Sequence, residues 1–400
     1  MSNRGRLFYL DALFDLQLGG FPFRNLKQSS AEMSVLFGLM GSAGDRVLLD
    51  IEIPAEYLEY IHSAGLSFAE PFHDGDCSSF QAVSWGWNEN SLKRVSQTGA
   101  EVKCPDLSII RRCNSRAFCH EINSKYGSGV PGTRYCQSID DFGSALDSLK
   151  DSFPLVIKPT FGGSGYGFRR LVSHVPVNSI SDQLIPLIEH GGAVVEPWCS
   201  RLYDLSTSVY IEPDGSVSSY RHQRFLANRH GAFYAILLSP EDFVLDKYSP
   251  VIEKHVKPAV EELTSAGYFG PAGFDSFVYT DRDGIENIAP VIEINARFSM
   301  SDIAHKVRNQ CAPDRYCLFR MISRNRCSLP ESYAEFNRLI ADFTFCPKNK
   351  TGCILLTPLR TRYGNNSFNQ PFRNAFFIAA KSLDDLFNLD SCLQNSLSKK

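Results

Sequence analysis

The chain has 400 residues, room for two to three domains at roughly 150 residues each. Hydrophobic residues at 43% and charged residues at 21% exclude a chain that is disordered over most of its length. Lys+Arg 41 against Asp+Glu 44 leaves a net charge of -3, which excludes a global basic field drawing in nucleic acid or anionic lipid.

No run reaches the ~18 apolar residues a membrane helix needs, and Met1 to Leu10 is too short and polar for a signal peptide. A soluble, cytoplasmic protein with no membrane partner is expected. Twelve cysteines without a C-x-x-C pair read as mostly buried thiols in a reducing compartment.

In chain order, Arg46 to Ile53 and Gln81 to Trp85 read as strands around a helix at Ala55 to Ala64, with Pro54 at its start. Strand, helix, strand predicts an α/β unit. Asn114 to Tyr126 reads as a helix capped by Asn114 and stopped by the Gly127 to Thr133 run, and Asp140 to Lys150 as a second, amphipathic helix. Phe153 to Pro159 and Ala193 to Glu196 read as strands. Leu205 to Glu212, Asp214-Gly215 and Val217 to Arg221 read as a hairpin. Pro258 to Ala266 looks helical; Gly273 to Thr280 and Pro290 to Asn295 form a second hairpin-like unit. After about Ser328 the composition shifts toward Pro, Asn and Arg, ending in a helix at Leu383 to Leu389.

The most informative stretch is Phe153 to Arg169, where Lys158 ends an apolar strand just before a loop with four glycines in six residues. Lysine beside backbone N–H groups that side-chain-poor residues leave accessible is a phosphate grip, with Gly162, Gly163, Ser164, Gly165, Tyr166 and Gly167 as the loop. The lysine precedes the glycines, so neither the Walker nor the dinucleotide spacing applies.

A second constellation is acidic. Asp275 lies on one strand-like segment and Glu293 and Asn295 on the next, and residues at i and i+2 of a strand share a face. Three hard oxygen ligands in one patch suit Mg²⁺. Arg297, two residues further, joins that face and has the fork for a phosphoryl oxygen pair. The gap of eighteen residues between Asp275 and Glu293 leaves Glu286-Asn287 open as an alternative ligand pair.

Taken in order, a lysine-ended strand before a glycine loop, a strand ending Glu196-Pro197-Trp198, and a late Asp followed by E-I-N-A-R resemble the ATP-grasp superfamily. The resemblance covers roughly residues 114–308. It implies an α/β and α+β chain: an N-terminal α/β pre-grasp domain (1–112), a two-lobed ATP-grasp domain (113–327) and a small C-terminal extension (328–400). It also implies ATP and Mg²⁺ between the lobes, Lys158 on the α- and β-phosphates, and Gly162 to Gly167 as their cover. Glu196 with Trp198 and Cys199 would form the adenine hinge, and Asp204 would hold the ribose. Asp275, Glu293 and Asn295 would be the Mg²⁺ ligands, and Arg297 would sit on the transferred phosphate. Arg116 stands where family members often carry a second phosphate lysine, keeping the charge but changing its shape.

The implied activity is that of a carboxylate–amine ligase acting on small molecules, with an amino acid or peptide substrate preferred to bicarbonate because no biotinyl-lysine segment is present. ADP and phosphate would be released. A homo-oligomer stays open. Arg221, His222 and Arg224 are candidates for the γ-phosphate or the acceptor carboxylate, and His305 and Lys306, expected on a helix surface, for the border of the acceptor site. The alternative is an ATP-binding scaffold without turnover; a nucleic-acid module lacks its basic stripe.

Overall fold

In the computed structural model, which describes residues 4–21, 26–163, 165, 167–227 and 233–398, the described strands form three sheets. The first holds β1 (Arg6–Tyr9), β2 (Arg46–Leu48), β3 (Glu70–Phe72) and β4 (Gln81–Ser84), all parallel, in the order β3-β2-β1-β4. Parallel neighbours need crossovers, and the helix Ala55–Ser63 after Pro54 supplies one. Only the start of the run from Arg46 to Ile53 is strand. The backbone of Glu52 instead exchanges hydrogen bonds with Arg362, at 2.9 and 3.0 Å, so the chain leaves the sheet to meet the C-terminal segment.

The second sheet is antiparallel, with β5 (Arg134–Cys136), β6 (Leu155–Pro159), β7 (Arg169–Leu171) and β8 (Ala193–Pro197) in the order β5-β8-β6-β7. Alternation decides its faces. Leu155, Ile157, Ala193 and Val195 pack against Phe142, Leu146 and Leu184 of the helices Ile139–Ser148 and Ser181–Glu189. The intervening Lys158 and Glu196 therefore project to the other side.

The third sheet has eight strands among the described residues: β9 (Ser200–Ile211), β10 (Arg221–Ala227), β11 (Phe233–Leu238), β12 (Gly270–Thr280), β13 (Glu286–Asn295), β14 (Tyr316–Ser323), β15 (Gly352–Leu355) and β16 (Arg373–Ala380). Their order is β13-β12-β9-β10-β11-β14-β16-β15, so the last two strands complete the far edge of the sheet that carries the acidic residues. The helix expected at Pro258 to Ala266 runs from Phe243 to Ser265. Pro250 and Pro258 interrupt its pattern, yet Val244, Tyr248, Ile252, Val256, Val260 and Leu263 keep one buried stripe.

The helix read from Asn114 starts at Arg116, capped by Ser115, whose side chain accepts from Phe118 N–H; Asn114 has a different task, described below. Among the described residues no disulfide forms, and no helix is long and apolar enough to cross a membrane.

Candidate active site

Lys158 and Glu196 lie on adjacent antiparallel strands, Lys158 opposite Val194 and Glu196 two residues on. At 3% and 5% exposure they form a buried ion pair, stable only because each desolvated charge has the other. The Phe168 ring lies 5.6 Å from the Lys158 ammonium. Between β6 and β7 the loop uses its glycines for two purposes. Gly165 and Gly167 have φ of 75° and 79°, the left-handed region. Gly163 has no room for a side chain, since a Cβ there would meet Asp15 Oδ2 at 2.7 Å. Ser164 and Tyr166 lie outside the described residues.

Arg116, 4% exposed at the first turn of its helix, ties the two sheets together. Its Nη1 donates to Pro159 O at 2.6 Å, and its Nη2 to Gly162 O at 3.2 Å and to Glu293 Oε1 at 2.6 Å. Its buried Nε has no hydrogen-bond partner among the described residues. The expected phosphate cation thus touches the strand end below the glycine loop and the acidic strand together. Arg116, Lys158, Glu196 and Ile292 line one narrow cleft between the second and third sheets.

On the third sheet, Asp275 pairs directly across from Glu293, and Gly273 from Asn295. Glu293 and Asn295 share the face of Asp275 through strand alternation, and Asn295 Nδ2 donates to Asp275 Oδ2 at 3.2 Å. Loss of hydration, and then the Glu293 charge beside it, push the Asp275 carboxyl up to about 7. Glu286 is at the opposite end of the hairpin, across from Thr280, held by Lys247 and Tyr248. The long gap between Asp275 and Glu293 is the length of two strands and their turn, and the pair Glu286-Asn287 is not near Asp275.

The segment after β13 is clamped from the helix junction. Asn114 Oδ1 accepts from Ala296 N–H at 2.9 Å while its Nδ2 donates to Ala296 O at 3.3 Å, fixing the residue between Asn295 and Arg297. Arg297 turns toward the first sheet. Its Nε and Nη2 donate to the two oxygens of Asp15 at 2.9 and 2.8 Å, Nη2 also to Asn295 Oδ1 at 2.9 Å, and Nη1 to Phe298 O at 3.0 Å. Trp85, just past β4, backs the guanidinium at 5.7 Å.

The remaining expected residues divide by location. Trp198 follows β8, its N–H bonded to Pro154 O at 2.8 Å, its ring under Arg170 at 5.2 Å, and Cys199 comes next. Asp204 on β9 pairs with Arg201 at 2.8 Å. Across the sheet, Glu293, Asp275, Ser206 and Gln223 form one row. Gln223 Oε1 meets His305 Nε2 at 3.0 Å, and Arg221, on the same face, pairs with Asp302 at 2.6 Å. His305 is 9% exposed rather than on a helix surface, because its helix lays that side against the polar row. His222 and Arg224 point to the other face, toward Glu253 at 3.0 Å and Asp242 at 3.6 Å. Lys306 is half-buried beside His305.

Among the described residues no group of three or more His, Cys, Asp or Glu side chains is poised for a metal. The cluster offers two carboxylates and an amide. Two carboxylates directly opposite one another, with an amide on the same face, are hard oxygen donors that fit Mg²⁺, which keeps part of its shell from water and phosphate. Sequence reasoning missed Asp15 and Asn114, neither of which stands in a chemical motif; only a contact across the fold reveals them.

No family model matches the sequence, and no curated protein matches it. Solved structures do. An N5-carboxyaminoimidazole synthase from Aspergillus clavatus, in complex with ADP and 5-aminoimidazole ribonucleotide, matches at 13% identity with TM-score 0.53, covering 99% of this chain and 100% of its own. The N5-carboxyaminoimidazole synthetase from Staphylococcus aureus complexed with ADP matches at 12% identity and TM-score 0.55, over 98% and 96% of the two chains. A biotin carboxylase domain of 2-oxoglutarate carboxylase from Hydrogenobacter thermophilus, in complex with MgADP and bicarbonate, matches at 12% identity and TM-score 0.55, over 97% and 89%. The architecture is the ATP-grasp fold along nearly the whole chain.

Proposed function

We propose that this chain is an ATP-dependent carboxylate–amine ligase that forms an amide bond through an acyl phosphate and releases ADP and phosphate. The observation that carries the reading is Arg116, bonded at once to the strand end below the glycine loop and to Glu293. It brings the phosphate grip of one sheet against the oxygen donors of the other, the juxtaposition phosphoryl transfer needs.

In this reading Lys158 exchanges part of its pairing with Glu196 for the α- and β-phosphates, and the N–H groups of the glycine loop cover them. Glu196, Trp198 and Cys199 read the adenine, and Asp204 the ribose. Asp275, Glu293 and Asn295 would hold Mg²⁺, which when bound neutralises charge on the phosphoryl oxygens. The carboxylate oxygen attacks the γ-phosphorus and the bond to ADP breaks. The amine nitrogen then attacks the acyl carbon and phosphate leaves, the amine proton passing to solvent. Arg221 and the polar row reaching His305 make the acceptor-side wall.

For the substrates we favour an amino acid or peptide carboxylate. The solved neighbours' names, which include bicarbonate and 5-aminoimidazole ribonucleotide, favour a second reading with bicarbonate as the carboxylate. A phosphate-release screen with Mg-ATP separates them, using pools of amino acids and dipeptides, each with and without amine, and bicarbonate with amines. Release that needs an amino acid or peptide together with an amine is expected. Release in the bicarbonate arm alone replaces the substrate class. ATP binding without release in every arm favours the scaffold alternative.

A further inference from the structure

We propose that Asp15 is a positioning residue for this site: it anchors Arg297 by both carboxylate oxygens and so keeps that charge from pairing with Asp275 and Glu293, leaving the two carboxylates open to a cation. The inference rests on the ligase reading and adds to it a residue from outside the two lobes that face each other.

Asp15 belongs to the short helix Phe14–Leu18, which follows the carboxyl end of β1. Its seat is rigid. Asp11 accepts from Leu13 N–H at 2.9 Å, from Gln17 Nε2 at 2.6 Å and from Ser30 Oγ at 2.9 Å, and Asn88 Nδ2 donates to Gln17 Oε1 at 2.5 Å. A fork-on-carboxylate pair held from a rigid base fixes a guanidinium in orientation as well as distance.

Counting donors decides what Arg297 does. Of five N–H groups, Nε and one on Nη2 go to Asp15, the other on Nη2 goes to Asn295 Oδ1, and one on Nη1 goes to Phe298 O. One remains. A two-pronged grip on a phosphoryl group is closed in this arrangement, and what Asp15 controls is where the Arg297 charge sits. With Arg297 donating to Oδ1, the amide presents Nδ2 to Asp275 at 3.2 Å, and only the second lone pair of Oδ1 is left for a cation. Without the Asp15 charge, Arg297 is free to swing onto Asp275 or Glu293 and compete with a cation there. The glycine loop packs close to the same carboxylate, since a Cβ on Gly163 would come within 2.7 Å of Asp15 Oδ2.

The test compares wild type, Asp15→Asn, which keeps shape and removes charge, and Asp15→Glu, which keeps charge. Calorimetry measures ADP affinity with and without Mg²⁺, beside the melting temperature of each protein. The proposal expects Asp15→Asn to bind ADP as wild type does without Mg²⁺ and to lose about tenfold or more of the gain Mg²⁺ gives, the scale at which groups just outside a metal's ligands act. Asp15→Glu should regain part of that gain. A Mg²⁺ gain unchanged in Asp15→Asn overturns it. So does equal loss of affinity with and without Mg²⁺ in both variants, which marks Asp15 as structural only. Failure of the wild type to bind ADP under either condition overturns the ligase reading, and this inference with it.

Discussion

Lys158 and Glu293 are expected to fail in different ways. Lys158→Ala should weaken Mg-ATP binding, because its contact forms in the ground state, whereas Glu293→Gln should bind nucleotide but lose roughly 100-fold or more in turnover. Calorimetry beside phosphate release measures both; parity of the two variants contradicts the division of roles. Glu286→Gln, on the far end of the hairpin, should leave turnover near wild type. His305 supplies the pH prediction. Burial first, then the charges of Arg221, Arg308 and His222, hold its imidazole down to about 3. The unfolded chain binds that proton below about 6.5 while the native state does not, so stability falls as pH drops through 6.5 toward 3, by up to ~1.4 kcal/mol per pH unit from this residue. Urea unfolding at pH 7 and pH 5 should show a smaller loss in His305→Gln than in wild type. Lys158 and Glu293 were legible because alternation along a strand needs only neighbours in sequence, whereas the burial of His305 was not. Asp15 was not, since its partner lies 282 positions away and no local pattern distinguishes one carboxylate on a short helix.

Elements were legible where their pattern was unbroken. β6 with its glycine loop, and the hairpin of β12 and β13, stand where strand-like runs and turn residues predict them. Of the helix Phe243–Ser265 only the end from Pro258 was legible; the part before it was hidden because two prolines mimic breaks, although the buried stripe continues through both. The Asn114 clamp was hidden for the opposite reason, as an Asn before an apolar-periodic run reads as a cap. Asn114→Ala should leave the N–H and C=O of Ala296 unpaired and cost about 1–3 kcal/mol in urea unfolding. A cost near zero means that water replaces the amide, and the clamp loses its importance. Gly163→Ala should push the loop off Asp15, lowering ATP affinity without a comparable loss of stability, because the strain falls on a loop and not on the core.

At the scale of the molecule, the fold is shared with solved neighbours at an identity of only 12–13%. The burial pattern explains how. Apolar alternation on each sheet can be met by many sequences, while the polar faces meeting across the cleft are set by a handful of residues. The order of sheets was readable from the succession of motifs; the return of β15 and β16 to the edge of the third sheet was not, since long-range antiparallel pairing leaves no local signal. Binding across the cleft should also stabilise the whole chain: at 100 times the dissociation constant, Mg-ADP should add about 2.7 kcal/mol, visible as a raised melting temperature. The most direct test of the central claim is chromatography of the nucleotides formed from Mg-ATP during turnover with the active carboxylate and amine. Amide, ADP and phosphate rising in equal amounts is the predicted result; AMP and pyrophosphate rising with the amide would contradict γ-phosphoryl transfer and the cleft's part in it.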